Sequence, residues 1–477
     1  MNFLFEKGGE AIAVLVFKGA EKVSEANDLY SFVKERKLFE GKAGEVYSSP
    51  GNGKDVILLG LGEEYKLDYQ VLRKAFYSLG KEAGRLKLES IGVHIPKFED
   101  KCYGKTLKAV SEGLIQSQYS FDKYKSKSDQ RVYLKEIYLQ VKDDNLEKAK
   151  NVVSETQILM EGVFLTRDLV NEPAINMYPE VLAERAVDSL APLGVKVDVF
   201  GKEKIEELGM KAFLAVSKGS EKEPQFIVMK YQGDPDSNEK LALVGKGLTY
   251  DSGGYCLKPA DSMAAMHTDM AGAASVIGAM YSIAKAGLKK NVTAIVAACE
   301  NMISGGAYKT GDIIGSMSGK TIEIGNTDAE GRVTLADALW YAATVENADR
   351  IVDLATLTGA CVVALGSVNT GAITNNDKFM EEIKVASTLA GEPVWELPHD
   401  EEYMELFKSD FADLKNTGGR WAGAITAGLF LREFVNDKPW VHLDIAGTSH
   451  LSNPMGYLPK GATGVPVKTL FYLVKDM

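Results

Sequence analysis

The 477-residue sequence predicts an α/β fold: an N-terminal α/β domain, then a larger α/β domain with a mixed, mostly parallel central sheet flanked by helices. Three observations carry that expectation. The chain is too long for one ordinary core, since domains usually run to roughly 100–200 residues. Short apolar runs alternate with helix-period stretches along its whole length. Several later runs are apolar throughout, as in strands covered on both faces of a parallel sheet.

Up to about Lys142, the runs IAVLVF, DVILLGLG, SIGVHI and EIYLQV read as strands, with a helix-period stretch over Tyr69–Leu86. This domain, 1–142, is poor in clustered polar residues of catalytic type, so it is assigned to assembly or access. From Asp143, Leu146, Ala149, Val153, Met160 and Phe164 recur at three- and four-residue intervals. That spacing predicts a connecting helix over 143–170. Pro173 and Pro179 then break the chain, and the second domain, 171–477, starts near Asn171. In it VKVDVF, AFLAVS, QFIVMKY, LALVGKG, VTAIVAAC, RIVDLATLTG and WVHLDIAG read as strands.

The balance of 55 Lys+Arg against 66 Asp+Glu gives a net charge of −11, which argues against a general nucleic-acid or anionic-membrane surface. Cys102, Cys256, Cys299 and Cys361 show no CxxC spacing, so free thiols in a reducing compartment are expected. Glu6 and Glu10 interrupt the first apolar residues, no basic leader precedes them, and no apolar run is long enough to span a bilayer. A cytoplasmic protein without membrane partners is expected.

The stretch NTDAEGR, Asn326 to Arg332, lies between a strand-like TIEIG and a helix-like VTLADALWYAA. Thr327-x-x-Glu330 fits a capping box, and Asp328 and Glu330 suit the dipole of a helix beginning near Val333. A second reading stands beside it. LALVGKGLTYDSGG places Lys246 at the end of an apolar run and Asp251 in a Gly-rich turn, and HTDMAGAASV places Asp269 before a helix of small residues. Ligands of such sheets bind beyond the carboxyl ends of the strands. If Asp328-Ala329-Glu330 is extended, its two carboxylates share a face. Clustered carboxylates repel and need compensating positive charge, and oxygen donors without clustered His suit Mn²⁺ or Mg²⁺, with Zn²⁺ also accepted. Two ions about 3.5–4 Å apart would activate a water and polarise a substrate oxygen. Taken singly, Asp251 reads as a turn residue, Asp269 as an N-cap and Lys246 as a salt-bridge partner.

Other motifs are weaker. The glycine-rich GKGLTYDSGG lacks phosphate-loop spacing, Ser252 has no GxSxG elbow, and His94, His267, His399, His442 and His450 form no HExxH pair.

The runs LVGKGLTYDSGGYCLKP, HTDMAGAASV, ENMISGGAYKTGD, SMSGKTIEIGNTDAEGRVTLADAL, DLATLTGA, DLKNTGGRWAGAITAGLFL, HLDIAGT and KGATGVPV closely resemble the leucyl aminopeptidase (cytosol aminopeptidase) family of two-metal exopeptidases. The match is collinear from about Arg167 to Leu470, and NTDAEGR is similar to that family's signature. The resemblance implies that Lys246, Asp251, Asp269 and Glu330 bind one metal while Asp251, Asp328 and Glu330 bind the other. It implies two divalent ions per subunit, Mn²⁺ or Zn²⁺ with Mg²⁺ and Co²⁺ as further candidates. Lys258 is the implied catalytic lysine on the developing oxyanion, and Arg332 the implied holder of a bicarbonate that shuttles protons. Met266 and Thr356, Leu357, Thr358 and Gly359 match the pocket for the first side chain, in keeping with Leu and other apolar preferences.

By the same resemblance the protein is a metalloprotease and hydrolase that releases N-terminal residues from short peptides with a free amine, assembled as a homohexamer. Ile303, Gly306 and Trp421 depart from the family's usual residues, which bears on loop shape and substrate preference. Alternatives from other classes are a two-metal phosphoester hydrolase and a moonlighting DNA-binding protein, the second opposed by the acidic balance.

Overall fold

The computed structural model describes residues 1–23, 25–51, 53–126, 132–141 and 146–477. Residues 142 and 143–145, where the expected domain boundary and the start of the expected connecting helix fall, lie outside them. The chain divides into two compact units, Met1–Met160 with Pro454–Leu458, and Glu161–Asn453 with Pro459–Met477. The first boundary falls within a 26-residue helix, Leu146–Asn171.

In the first unit the apolar runs pair into a six-stranded sheet of β1 (Asn2–Leu4), β2 (Ala11–Phe17), β3 (Val46–Ser49), β4 (Asp55–Gly62), β5 (Ser90–His94) and β6 (Glu136–Gln140). The spatial order is β1-β6-β5-β2-β4-β3, parallel except for the edge pair β3–β4. Helices Tyr69–Arg85 and Tyr103–Ser117 bury Leu72, Phe76, Leu79, Leu107, Val110 and Leu114 in its core. Asp68 starts the first of them by accepting the Val71 N–H at 2.7 Å, an N-cap that satisfies one orphan amide. Inside this core the Arg73 guanidinium pairs with Glu112, both buried.

The second unit holds an eight-stranded sheet of β7 (Lys196–Phe200), β8 (Gln225–Gln232), β9 (Lys240–Asp251), β10 (Asn291–Asn301), β13 (Arg350–Ala355), β14 (Thr370–Thr374), β15 (Val394–Glu396) and β17 (Trp440–Asp444). Between them, β11 (Ile313–Gly315), β12 (Thr321–Glu323) and β16 (Leu414–Lys415) form a separate three-stranded sheet. The large sheet runs β15-β14-β17-β13-β9-β10-β8-β7. Its centre is parallel (β17–β13–β9–β10), while β8, β7 and the β14–β17 pair are antiparallel. The central strands β9 and β10 are buried almost end to end, which explains their unalternating apolar sequences.

Helices cover both faces, and β9 shows how. A Cβ on Gly245 would lie 2.7 Å from Ala273 Cα in the helix Ala271–Lys285, so this strand and helix pack backbone against backbone. The next residue, Lys246, points the other way, toward the helix Glu330–Thr344. One strand expectation fails: AFLAVS lies in a helix, Lys211–Ser217, burying Ala212, Phe213, Ala215 and Val216. Burial at i, i+1, i+3 and i+4 is a helical stripe, and an apolar run this short fits either structure by pattern alone. Among the described residues no helix is long and apolar enough to cross a membrane. All four cysteines are free thiols.

Candidate metal centre

Lys246 lies within β9 and Asp251 ends it, five residues further on. Parallel register sets Asn301, the last residue of β10, beside Asp251. There the Asn301 amide donates to Asp251 Oδ1 at 2.8 Å and to the Thr327 carbonyl at 3.0 Å. The Gly253 N–H donates to the same Asp251 oxygen at 2.8 Å, leaving Oδ2 to face the Lys258 ammonium at 2.8 Å. Lys258 also reaches Asp328 Oδ1 at 2.6 Å.

The remaining carboxylates gather around Lys246. Its ammonium lies 2.7 Å from Asp269 Oδ2 and 2.9 Å from Glu330 Oε1, and donates to the Thr356 carbonyl at 3.0 Å. Thr356 Oγ1 holds Asp269 from the other side at 2.8 Å. Gly331 is a steric requirement here, because a Cβ on it would meet Lys246 Cε at 2.6 Å. Gly253, at φ +85°, has the left-handed backbone that favours glycine, and a Cβ there would sit 2.8 Å from Asp328 Oδ1.

The structure therefore brings Lys246, Asp251, Lys258, Asp269, Asp328 and Glu330 together, though by a different local route from the one the sequence suggests. Asp269 follows a 3₁₀ turn, Met266–Thr268, rather than a strand, and it is not an N-cap. Asp328 follows a strand of the small sheet. Asp328-Ala329-Glu330 is not extended: Glu330 is already the first residue of the helix Glu330–Thr344, three residues before the expected start. Nor does Thr327 cap that helix. It is buried, donates to the Gly253 carbonyl at 2.7 Å and accepts the Cys256 N–H at 2.8 Å, tying the two acidic loops together. The capping box is thus replaced by a bridge between loops.

Asp251, Asp328 and Glu330 each offer a carboxylate oxygen, all within 4.8 Å of one another. Among the described residues Glu330 Oε2 is buried and accepts no hydrogen bond, while Asp269 Oδ2 and Asp328 Oδ1 lie at ion-pair distance from an ammonium without a well-directed hydrogen bond. Four carboxylates face two ammonium groups, so the cluster is short of positive charge. Burial raises the Asp251 and Asp269 carboxyls, with Glu330 adding to both rises and the lysines opposing them. Burial alone would lower Lys246, but Asp269, Glu330 and Asp251 outweigh it and hold the ammonium above its ordinary value. Oxygen-rich donors with incomplete partnering suit divalent cations, so the residues present fit them.

Arg332, two residues further along the same helix, is buried and its Nε has no partner among the described residues. Burial lowers it to about 10, opposed by Glu330 and Asp444. A buried guanidinium in this state has a donor left to offer to an anion. In the expected pocket segment, Asp444 at the end of β17 accepts the Leu357 N–H at 3.2 Å and the Thr358 hydroxyl at 2.7 Å. Thr358 in turn caps the helix Gly359–Leu365. Met266 is half-buried, three residues before Asp269. The sequence alone does not mark Asn301 as a partner of Asp251, Thr327 as a bridge between the loops, Thr356 as the brace of Asp269, or Asp444 as the acceptor for Leu357 and Thr358. Asn301 had one available signal, its place where the apolar run of β10 stops.

Fold and site together define an α/β protein with a buried carboxylate cluster of the metallohydrolase kind. A model described as "Cytosol aminopeptidase family, catalytic domain" matches residues 164–471, and one for the same family's N-terminal domain matches residues 13–128. The chain is 61% identical over 476 residues to a probable cytosol aminopeptidase of Clostridium tetani, covering 100% of this chain and 99% of that one. It is 50% identical to a counterpart in Treponema denticola, covering 99% of each. Among solved structures, the bottromycin maturation enzyme BotP in complex with Mn aligns with a TM-score of 0.90 at 31% identity, covering 98% of this chain and 99% of that one. The chain belongs to the cytosol aminopeptidase family, and it is a metal-dependent exopeptidase, a hydrolase.

Proposed function

We propose that the protein releases N-terminal residues, preferring Leu and other apolar side chains, from short peptides, with two divalent ions held by the carboxylate cluster. The observation that carries this reading is the convergence of Asp251, Asp328 and Glu330 oxygens within 4.8 Å, with Asp251 and Glu330 buried and Asp328 partly exposed. Lys246, once a cation has displaced the proton of its ammonium, would hold one ion with Asp251, Asp269 and Glu330, and Asp251, Asp328 and Glu330 would hold the other. Mn²⁺ is favoured by the Mn complex of the similar BotP, with Zn²⁺, Mg²⁺ and Co²⁺ as further candidates. When bound, the ions supply Lewis-acid polarisation and a nucleophilic water at neutral pH.

The chain's own groups do the rest. Lys258, poised between Asp251 and Asp328, donates to the oxygen that gains charge as the peptide carbonyl is attacked. Arg332, buried with an unpartnered Nε, would hold an anion such as bicarbonate, which would supply proton transfer at this site when bound. Asn301 and the Gly253 N–H fix Asp251 in one orientation, and Thr356 does the same for Asp269. Met266 and Thr356–Gly359 form the pocket for the first side chain.

Residues 1–142 are assigned to assembly and access, 143–170 to a connecting helix and 171–477 to catalysis, in a homohexamer working in the cytoplasm, as the names of the relatives suggest. Cleavage of Leu-amide and Leu-p-nitroanilide, with none of their N-acetylated forms, is the expected result. Equal rates on the acetylated substrates would overturn recognition of the free amine.

A further inference from the structure

The segment Asn416–Gly423 joins two walls of the site. At one end the Asn416 side chain donates to the Asn326 carbonyl at 2.7 Å and accepts the Gly325 N–H at 2.8 Å, bracing the NTDAEGR loop. At the other, Gly423 opens the helix Gly423–Arg432 against the helix Gly359–Leu365 that follows the pocket segment: a Cβ on it would lie 3.1 Å from Ala360 Cβ. Between these anchors the chain turns through Gly419 at φ +83° and Ala422 at φ +51°. A left-handed alanine costs energy and persists only where its surroundings impose it. This turn presents Trp421, 74% exposed, with the Arg420 guanidinium 5.2 Å from its ring centroid.

The indole stands largely in water, and Arg420 makes no ion pair among the described residues. The NTDAEGR loop that Asn416 braces carries Asp328 and Glu330 of the carboxylate cluster, and the net charge is −11 overall. A short peptide bound by its amine end presents a free carboxylate a few residues away, and that anion is repelled unless a cation receives it. A guanidinium pre-oriented by stacking on a ring loses little freedom on binding a carboxylate and can do so through two parallel hydrogen bonds.

We propose that Arg420 and Trp421 form a subsite for the C-terminal end of short peptide substrates, Arg420 binding the free carboxylate and Trp421 packing on the preceding backbone or side chain. The subsite makes the enzyme select peptides by length, because one peptide length places its carboxylate at Arg420 while its amine is at the metal centre. The proposal rests on the aminopeptidase reading above.

The test compares kcat/KM for Leu-initiated peptides of two, three and four residues, each as the free acid and as the C-terminal amide, on the Mn²⁺-loaded full chain. At one length the acid is expected to be preferred over the amide by about fivefold, the scale of a partly exposed ion pair. In Arg420→Gln that ratio falls to one, while Arg420→Lys keeps part of it, and Trp421→Ala lowers it where Trp421→Phe does not. Equal rates on acid and amide at every length, or a ratio that survives in Arg420→Gln, overturns the subsite. So does a Trp421→Ala protein that changes assembly mass and leaves the ratio intact, which makes the indole an interface residue. If the aminopeptidase reading itself fails, neither acids nor amides nor Leu-p-nitroanilide are cleaved, a result distinct from all of these.

Discussion

Lys258 faces Asp251 at 2.8 Å and Asp328 at 2.6 Å while remaining 14% exposed, so its charge is fixed in place yet open to substrate. Removing a preorganised donor to a developing oxyanion typically lowers kcat by about 10²–10³-fold. Lys258→Met, assayed on Leu-p-nitroanilide at saturating Mn²⁺, is expected to show such a drop with KM changed only a few-fold; a kcat near wild type would remove the lysine from the reaction. Gly331→Ala tests the packing beside it. The added methyl would sit 2.6 Å from Lys246 Cε, forcing that side chain out of the cluster, and the expected outcome is loss of the Mn²⁺-induced thermal shift. A full shift would show that the helix start can yield. At this scale the four acidic residues and two lysines that the structure brings together are readable in sequence because motif resemblance marks them. Asn301 is less so, since strand register between β9 and β10 brings it to Asp251, and register is set by tertiary pairing.

The helix Glu330–Thr344 carries three different tasks along its length. Its first turn supplies Glu330 and Arg332, its apolar residues Val333, Leu335, Ala336 and Leu339 join the main core, and Asp337 acts as a buried tie. Asp337 Oδ2 accepts the Phe213 N–H at 2.9 Å and Oδ1 the Met317 N–H at 2.7 Å, pinning the helix Lys211–Ser217 and the loop between β11 and β12. Asp337→Ala strands two buried amides, each worth roughly 1–3 kcal/mol. A loss of about 3 kcal/mol in denaturant unfolding is expected, and a loss under 1 kcal/mol would show that water replaces the carboxylate. Burial also raises the Asp337 carboxyl to about 7, against the amides that lower it. An acid raised in the folded state adds stability that is complete below its unfolded value and fades as pH rises through 7.

The same element shows where pattern reading stops. The expected start near Val333 and the Thr327 cap follow from local chemistry. In the structure Thr327 is spent on Gly253 and Cys256, 70 or so positions back, a partner no local window contains.

Over the whole molecule, protons and divalent cations compete for one set of carboxylates. Burial and the neighbouring acids raise Asp251 to about 8 and Asp269 to about 6. In protein stripped of metal these groups give stability that is complete at acid pH and is lost as pH climbs through those values. Bound cations reverse that loss, and their uptake releases protons. The Mn²⁺-induced rise in Tm is therefore expected to be larger above pH 8 than below pH 6, with protons released on titration in weak buffer. A shift that is largest at acid pH would contradict a carboxylate site.

The division into two α/β units and the mixed sheet were legible from alternation and from the unbroken apolar runs of β9 and β10. The separate sheet β11-β12-β16 was not, because each of its strands is only two or three residues long, too short for a period to show. The homohexamer is an expectation of kinship, checked by a light-scattering mass six times that of the chain.

The central claim is that the cluster around Glu330 holds the metal on which peptide cleavage depends. It is tested most directly by stripping the protein with chelator and titrating Mn²⁺ back into wild type and Glu330→Ala while recording bound metal and Leu-p-nitroanilide hydrolysis together. In wild type, activity should return in step with two bound ions per chain, and in Glu330→Ala both should fail while the fold persists by circular dichroism. Activity that survives complete chelation, or a Glu330→Ala protein that binds two ions and cleaves at the wild-type rate, would contradict it.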